Sequence, residues 1–107
     1  MSDGRGVHAS VPLSVITRPI ATPVDEAKVA SLMATLRDAS TADQVPPITL
    51  LRLTGDAGGQ YYYSFGGCHR YEAHKRLGSA EVPAVLQRAS LADLRVFLGA
   101  STPERLQ

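Results

Sequence analysis

The sequence is poor in cysteine, tryptophan and long apolar runs. Its 107 residues include one cysteine and no tryptophan. A single cysteine excludes a disulfide within the chain and is typical of a reducing compartment, so we expect a cytoplasmic protein. No apolar run approaches the roughly 20 residues that a membrane-spanning helix needs, and we expect no membrane association.

An excess of charge of either sign is also absent. Eleven lysine and arginine residues balance ten acidic residues, which gives a formal net charge of +1. This balance does not favour nucleic-acid binding through a basic surface. A hydrophobic content of 44% is enough for one small domain with one core. We expect a monomer in which residues 1–8 form a flexible arm and residues 9–107 form the folded domain.

The most informative stretch combines a strand, a glycine turn and a helix. Gln60–Phe65 is rich in aromatic residues typical of strands, and His69–Leu77 is helical in character, with Gly78 as its expected end. Gly66 and Gly67 between them permit a tight turn without Cβ clashes. Such a turn also leaves unpaired N–H groups at the helix N-terminus, which suit a phosphate or a thiolate.

The chain's one cysteine, Cys68, directly follows this glycine turn, and Arg70 follows in the first turn of the helix. A lone cysteine is usually a small buried residue. A helix N-terminus and a nearby arginine, however, favour the thiolate. The position therefore predicts a reactive cysteine beside a phosphate site.

Other cysteine and histidine chemistry is not favoured. Adjacent helical residues point about 100° apart, so we expect no thiolate–imidazolium pair between Cys68 and His69. His8 and His74 do not have the spacing of a zinc motif, and we expect no metal held by protein side chains. His74 is expected on the helix surface.

Apolar periodicity and helix-capping residues predict the remaining strands and helices. They predict a strand over residues 9–17, a helix over 26–37 after the N-cap Asp25, strands over 48–53 and 82–87, and a helix over 91–98. Pro83 is expected to place the last strand at a sheet edge or at a strand start. Ser90 is the expected N-cap of the last helix and Gly99 its end, and the tail beyond it is either flexible or docked.

The segment Phe65-Gly66-Gly67-Cys68-His69-Arg70 resembles the signature of the sulfiredoxins. Three further stretches resemble the family in the same order: Arg18-Pro19-Ile20, residues 25–37 and residues 93–103. These enzymes use ATP and Mg²⁺ to reduce the sulfinic acid of hyperoxidised 2-Cys peroxiredoxins. The resemblance implies a compact α+β domain over residues 9–107, with a small mixed sheet and about three helices. The N-terminal domains of ParB-type partition proteins share this fold.

The resemblance also assigns roles to individual residues. It implies that Cys68 is the nucleophile and that Arg18 lies beside it and favours its thiolate. Taken by itself, Arg18 would be a solvated loop arginine. Residues that the resemblance assigns to ATP and phosphate binding are Lys28, Ser31, Thr35, Gly67, Cys68, His69 and Arg70.

Two of these assignments have alternatives in the pattern itself. Lys28, Ser31 and Thr35 repeat at helical spacing, which is equally typical of a solvated helix face. The resemblance implies peroxiredoxin docking by Tyr61, Phe65, Val96 and Phe97. Aromatic residues that alternate along a strand also face a core in many proteins, and alternation places residues 61, 63 and 65 on one face.

The implied mechanism transfers a phosphoryl group from ATP to the sulfinate oxygen, which gives a sulfinic phosphoryl ester. Cys68 then attacks the sulfur and forms a thiosulfinate with the peroxiredoxin. Since the chain has no second cysteine, an external thiol, glutathione or thioredoxin, is expected to resolve this adduct. Mg²⁺ is expected to be held mainly by the ATP phosphates. The alternative is a ParB-like nucleotide-binding switch module without thiol chemistry.

Overall fold

The computed structural model describes residues 6–20 and 23–106, which form one five-stranded sheet and three α-helices. The elements are β1 (Val7–Pro12), β2 (Ile16–Thr17), α1 (Glu26–Arg37), β3 (Ile48–Thr54), β4 (Gln60–Tyr63), α2 (Cys68–Arg76), β5 (Glu81–Arg88) and α3 (Leu91–Leu98). The predicted α+β class with a small mixed sheet is confirmed. No helix within the described ranges has the length and apolar character needed to cross a membrane.

The strands lie in the order β1-β5-β3-β4-β2. β3 runs parallel to β5 and antiparallel to β4, whereas β1 pairs antiparallel with β5. Of the two predicted placements of Pro83, the sheet edge is therefore wrong, and Pro83 is instead the third residue of β5, near the start of that strand. Pro83 is tolerated because it lies opposite Ser10 of β1, and the ladder with β3 begins one residue later, at Ala84.

The single strand predicted over residues 9–17 is in fact two strands. β1 ends at Pro12, the 3₁₀ turn Leu13–Val15 follows, and β2 pairs parallel with β4 at the other edge of the sheet. In a flat sheet, β1 and β2 would lie four strand spacings apart, which is about 19 Å. The chain from Pro12 to Ile16, which joins them, spans at most about 14 Å. The sheet must therefore curl, and Val11 and Ile16 from its two edges meet in one core cluster.

The two faces of the sheet bury separate apolar clusters. One contains Ile48 and Leu50 of β3 and receives Tyr71 of α2, and the other contains Leu53 and receives Leu94 of α3. Successive strand side chains point to opposite faces, which explains this division. Along β4, residues 61, 63 and 65 share the α3 face, as the alternation predicts.

The helices begin and end as their caps predict. The Asp25 side chain accepts hydrogen bonds from the backbone N–H groups of residues 27 and 28, and α1 begins at Glu26. Ser90 and Asp93 form a reciprocal capping box on α3, and Gly99 ends that helix with a φ of 55°. Apolar side chains at i, i+3, i+4 and i+7 form one stripe of α1, in which Val29 is buried and the others are half-buried: Val29, Leu32, Met33 and Leu36.

The C-terminal tail docks on the β3–β4 hairpin. The backbone N–H of Asp56 donates to the carbonyl of Leu106 at 2.8 Å, and Arg105 lies 3.4 Å from the Asp56 carboxylate. Leu106 also packs against the second apolar cluster. At the other terminus β1 begins at Val7, so residues 7 and 8 belong to the sheet. Residues 1–5 of the predicted arm and residue 107 of the tail lie outside the described residues.

Candidate active site

The turn before Cys68 requires glycine at one of its two positions. Gly67 has a φ of 66°, in the left-handed region, and a Cβ atom there would lie 3.0 Å from Cγ2 of Ile48. A Cβ at Gly66 would meet no atom within 4 Å. The carbonyl of Gly67 accepts from the N–H of Tyr71 at 2.8 Å, which closes the first turn of α2. The chain thus passes from β4 to α2 in four residues and places Cys68 at position N1.

The N-terminus of α2 is left open, unlike those of the other helices. Asp25 caps α1 and Ser90 caps α3, but Gly67 has no side chain with which to cap α2. The first N–H groups of a helix have no partner within the helix. Those of residues 68–70 are consequently available to an anion next to the half-buried thiol of Cys68.

Arg18 is tied to this turn. Its Nη1 donates to Oγ of Ser64 at 2.7 Å and to the carbonyl of Gly66 at 3.1 Å, and its guanidinium lies 4.8 Å above the ring of Tyr71. Arg18 is thus not a solvated loop arginine. Its positive charge is fixed against the turn that precedes Cys68, in a contact that cation–π attraction supports.

Ser64 is a positioning residue that the sequence analysis did not identify. It is fully buried, its N–H donates to the carbonyl of Thr17, and its Oγ donates to the carbonyl of Gly66 at 3.1 Å. The same Oγ accepts from Arg18. The sequence contained one signal for this role: Ser64 is a small polar residue between the aromatic strand and the Gly-Gly turn. A hydroxyl at such a position, once buried, needs hydrogen-bond partners, and the turn supplies one.

His69 approaches the thiol, and the prediction that the two side chains do not face each other is wrong. Nδ1 of His69 lies 3.7 Å from Sγ of Cys68. The angular argument fails here because Cys68 is the first residue of α2, so no preceding helical turn confines its side chain. The ring of His69 is also held from outside α2, since its Nε2 accepts a hydrogen bond from the N–H of Asp25 at 3.0 Å.

This contact brings the N-terminus of α1 against the first turn of α2. Lys28, Ser31 and Thr35, the predicted nucleotide-binding residues of α1, form a polar stripe along this helix. The stripe begins at Lys28, three residues after Asp25. Lys28 and Ser31 are exposed, and Thr35 is half-buried, with its hydroxyl donating to the carbonyl of Ser31 at 3.1 Å. The structure therefore brings the helix that carries the predicted nucleotide-binding residues next to the thiol.

Arg70 has protein partners that the sequence did not predict. Its Nη1 donates to the carbonyls of Pro46 and Pro47, at 3.2 and 2.9 Å. Arg70 thus fastens the first turn of α2 to the loop before β3. Both of these hydrogen bonds are made by Nη1, and Arg70 also lines the cavity beside Gly66 and Gly67.

An aromatic patch, formed by Phe65, Val96 and Phe97, lies on the α3 side of the turn. The rings of Phe65 and Phe97 stack with centroids 4.3 Å apart. Val96 is 81% exposed and Phe97 is 48% exposed, which is unusual for large apolar side chains. A cavity of about 430 Å³ adjoins the patch and is lined by Phe65, Phe97, Gly66 and Gly67 among others. Tyr61, the fourth predicted docking residue, is half-buried against the second core cluster.

His74 lies inside the protein, and its predicted surface position is wrong. The side chain is on the buried face of α2, and the residue is only 8% exposed. Its Nδ1 lies 3.3 Å from Oγ of Ser79. Burial lowers the pKa of His74 because the charged imidazolium loses hydration. The sequence concealed this position because helix-surface periodicity is weak over nine residues.

Comparison with known proteins identifies the family of this chain. The family profile of the ParB N-terminal domain matches residues 2–102. Sulfiredoxin of Schizosaccharomyces pombe is 35% identical over 101 residues, which cover 83% of this chain and 81% of that protein. The crystal structure of sulfiredoxin from Arabidopsis thaliana superposes with a TM-score of 0.69 at 32% identity, and covers 84% of this chain and 94% of that one.

A much longer protein also contains a similar segment. The BEACH domain-containing protein lvsE of Dictyostelium discoideum is 42% identical over 87 residues, which cover 80% of this chain but only 4% of that protein. The chain therefore spans a small part of this relative and most of the two sulfiredoxins above. Sequence and fold agree, and the chain belongs to the sulfiredoxin family of sulfinic acid reductases, within the ParB N-terminal domain fold.

Proposed function

We propose that this protein reduces the cysteine sulfinic acid of hyperoxidised 2-Cys peroxiredoxins with ATP, Mg²⁺ and an external thiol, and that Cys68 is the nucleophile. One observation carries the proposal: the half-exposed thiol lies at the uncapped N-terminus of α2, with Arg18 fixed against the preceding turn. We further propose that the protein acts as a monomer in a reducing compartment such as the cytoplasm, without nucleic acid or membrane.

The phosphate site combines the two helices that the Asp25–His69 hydrogen bond joins. The open N–H groups of α2 and the ammonium group of Lys28 on α1 offset phosphate charge from two directions. Ser31 and Thr35 extend the same stripe and supply hydroxyl groups for the remainder of the nucleotide. The ATP phosphates would hold Mg²⁺, which would supply further positive charge to offset theirs.

The chemistry needs an activated sulfinate because its oxygen is a poor leaving group. Phosphoryl transfer from ATP breaks the terminal phosphoanhydride bond, releases ADP and makes that oxygen part of a phosphate ester. The Cys68 thiolate then forms an S–S bond to the peroxiredoxin sulfur, and inorganic phosphate leaves with the electron pair of the S–O bond. Arg18 holds a positive charge near the turn and thereby favours the thiolate form that attacks.

Release of the enzyme from this thiosulfinate needs a thiol from outside the chain, because Cys68 is its one cysteine. Attack of an external thiolate on Sγ of Cys68 forms a mixed disulfide with Cys68 and releases the peroxiredoxin as a sulfenic acid. A second thiol then reduces this mixed disulfide and restores the Cys68 thiol. Glutathione and thioredoxin both have the required chemistry. We expect a stable covalent complex when thiols are withheld, whereas full turnover without added thiol would contradict this step.

The aromatic patch is the proposed docking surface for the peroxiredoxin. Phe97 lines the cavity beside the turn that precedes Cys68, and Val96, its neighbour in α3, exposes most of its apolar side chain. Exposed apolar side chains next to a site are a common feature of surfaces that bind proteins. The ring of Phe65 stacks on the ring of Phe97 and so fixes its orientation. Tyr61 is further along the same strand face and completes the predicted docking set.

The test is the reduction of a sulfinylated 2-Cys peroxiredoxin, followed by intact mass spectrometry. The protein and its Cys68→Ser variant are each incubated with the substrate, ATP, Mg²⁺ and a thiol. Loss of the sulfinate oxygens with the native protein alone supports both the reaction and its nucleophile. Omission of ATP is the matched control, and it should abolish the reaction.

The competing hypothesis is a ParB-like nucleotide switch, which the matching family profile also accommodates. It predicts nucleotide binding by both proteins and no change in the mass of the peroxiredoxin. That outcome would overturn the reductase proposal. Cys68 distinguishes the hypotheses in the sequence, since a switch that acts without thiol chemistry does not need a half-exposed cysteine at the nucleotide site.

A further inference from the structure

The imidazole ring of His69 has a protein neighbour at each of its nitrogen atoms. Nε2 accepts the backbone N–H of Asp25 at 3.0 Å, and Nδ1 lies 3.7 Å from Sγ of Cys68. A backbone N–H can only donate, so Nε2 carries no proton while this hydrogen bond exists. A neutral imidazole carries one proton, which must then be on Nδ1.

The direction of the contact with sulfur follows from this tautomer. Nδ1–H donates and Sγ of Cys68 accepts. The reverse direction is excluded because a protonated Nδ1 has no lone pair with which to accept the thiol proton. We propose that the main-chain N–H of Asp25 selects the Nδ1–H tautomer of His69 and so makes His69 a neutral hydrogen-bond donor to the Cys68 thiolate. Asp25 is thus a positioning residue that acts through His69. The catalytic significance of this contact rests on the function proposed above, but the tautomer itself does not.

This assignment changes what His69 is able to do for the thiol. Its Nδ1 is already protonated and its Nε2 faces an N–H donor, so the ring does not accept the proton of Cys68. The S–H bond therefore breaks with transfer of the proton to water, and the electron pair stays on sulfur. Cys68 is half-exposed, which permits this route. The Nδ1–H···S⁻ hydrogen bond then becomes charge-assisted and is stronger than its neutral counterpart.

The N–H of Asp25 is available for this role because of its place in α1. Asp25 is the N-cap, so its N–H precedes the helix and has no partner in the helical ladder. The carboxylate of the same residue is engaged elsewhere and accepts from the N–H groups of Ala27 and Lys28. One residue therefore begins the helix with its side chain and orients His69 with its main chain.

The first experiment is nitrogen NMR of the ¹⁵N-labelled protein without nucleotide or peroxiredoxin. Long-range proton–nitrogen correlations distinguish a protonated from an unprotonated ring nitrogen in each histidine. We expect a protonated Nδ1 and an unprotonated Nε2 for His69. The opposite tautomer in the native protein overturns the proposal without the need for any variant.

A matched pair of variants isolates the main-chain contribution. Asp25→Ala loses the carboxylate cap and keeps the N–H, whereas Asp25→Pro loses both. The native φ of Asp25 is −82°, close to the value that proline requires. We expect His69 to keep the Nδ1–H tautomer in Asp25→Ala and to shift toward Nε2–H in Asp25→Pro. The same tautomer in both variants would overturn the proposal.

Cys68→Ser tests which neighbour sets the tautomer. If Asp25 selects it, the ring of His69 remains Nδ1–H when the sulfur is replaced. A change of tautomer in Cys68→Ser that is absent from Asp25→Pro would show that the sulfur is in control, against the proposal.

The effect on the thiol is measured by the rate at which iodoacetamide alkylates Cys68 at pH 7. Sγ of Cys68 faces an N–H donor in Asp25→Ala and an unprotonated Nδ1 in Asp25→Pro, so we expect the alkylation rates of the two variants to differ roughly tenfold. Equal rates would overturn the proposed action on Cys68. None of these measurements uses ATP or a peroxiredoxin, so a failed reductase assay leaves their outcome unaffected.

Discussion

The guanidinium of Arg18 and the hydroxyl of Ser64 are joined by a 2.7 Å hydrogen bond across 46 residues of sequence. Ser64 is fully buried and its Oγ also donates to the carbonyl of Gly66, so one hydroxyl connects the arginine to the turn before Cys68. The pair shows how the positive charge of Arg18 is held against the turn before Cys68. Arg18 comes from the segment after β2, and Ser64 follows β4.

Ser64→Ala should destabilise the protein and weaken the hold on Arg18. Loss of a buried hydrogen-bond partner costs about 1–3 kcal/mol. A domain of this size loses roughly 4–8 °C in melting temperature per kcal/mol. Thermal denaturation of the variant and of Ser14→Ala, at an exposed serine, checks this. Equal melting temperatures for the two variants would show that the Ser64 hydroxyl does not stabilise the fold.

Alanine at three glycines should separate backbone strain from steric crowding. Gly67→Ala meets both a φ of 66° and the Ile48 contact at 3.0 Å, Gly78→Ala meets only a φ of 72°, and Gly66→Ala meets neither. A left-handed alanine costs about 1–2 kcal/mol, so we expect the loss of stability in urea to fall in the order 67, 78, 66. Equal losses of stability in Gly67→Ala and Gly78→Ala would show that the contact with Ile48 does not contribute to the cost of the substitution at Gly67.

Stability should decrease as the pH falls through the ordinary pKa of histidine. Burial lowers the pKa of His74 in the folded protein below its usual 6.5. The unfolded chain therefore binds a proton first on acidification, and the balance shifts toward unfolding between about pH 7.5 and pH 5.5. Urea denaturation at both ends of this range tests the prediction. In His74→Gln the pH dependence should be shallower, and an unchanged slope would assign the effect to other groups.

Substitutions in the aromatic patch should distinguish docking from packing. Val96→Asp removes an 81% exposed side chain, so we expect weaker binding to the peroxiredoxin and an unchanged melting temperature. Phe97→Asp should reduce both, since Phe97 also stacks on Phe65 at 4.3 Å. Ala57→Asp, an exposed change on the distant β3–β4 hairpin, is the control and should affect neither. Unaltered affinity in Val96→Asp would argue against the patch as the docking surface.

Removal of the α1 cation should weaken nucleotide binding without affecting the fold. Lys28 is exposed, so Lys28→Met should leave the melting temperature unchanged and raise the dissociation constant for ATP by roughly tenfold, the loss of one cation near phosphate. Isothermal titration measures this. Arg70→Met should lower stability as well, because Arg70 also bonds to the carbonyls of Pro46 and Pro47. An unchanged affinity for ATP in Lys28→Met would remove Lys28 from the site.

Local signals in the sequence were enough for most of the secondary structure. The N-caps Asp25 and Ser90 act within three residues of themselves, and Gly78 and Gly99 end helices through their own positive φ. These effects need no distant partner, so they are readable along the chain. The glycine step before a helix was readable in the same way, although α2 begins at Cys68, one residue before the predicted start at His69.

The sequence-based predictions were wrong where contacts between distant segments determine the local structure. The 3₁₀ turn at Leu13–Val15 divides the first strand because the curled sheet offers two edges, one to each half. Pro83 sits in an inner strand because the ladder with β3 starts after it. His74 is buried by packing that its own helical pattern does not reveal.

The sequence by itself determined the three helices, most of the strands, the glycine turn and the family resemblance, because each depends on neighbouring residues or on a contiguous motif. Only the tertiary structure decided the environment of the thiol. Asp25 reaches His69 across 44 residues, and Arg18 reaches Ser64 across 46. Such contacts exist only after the sheet has curled and α1 has packed on α2, since hydrogen bonds need their partners within about 3 Å.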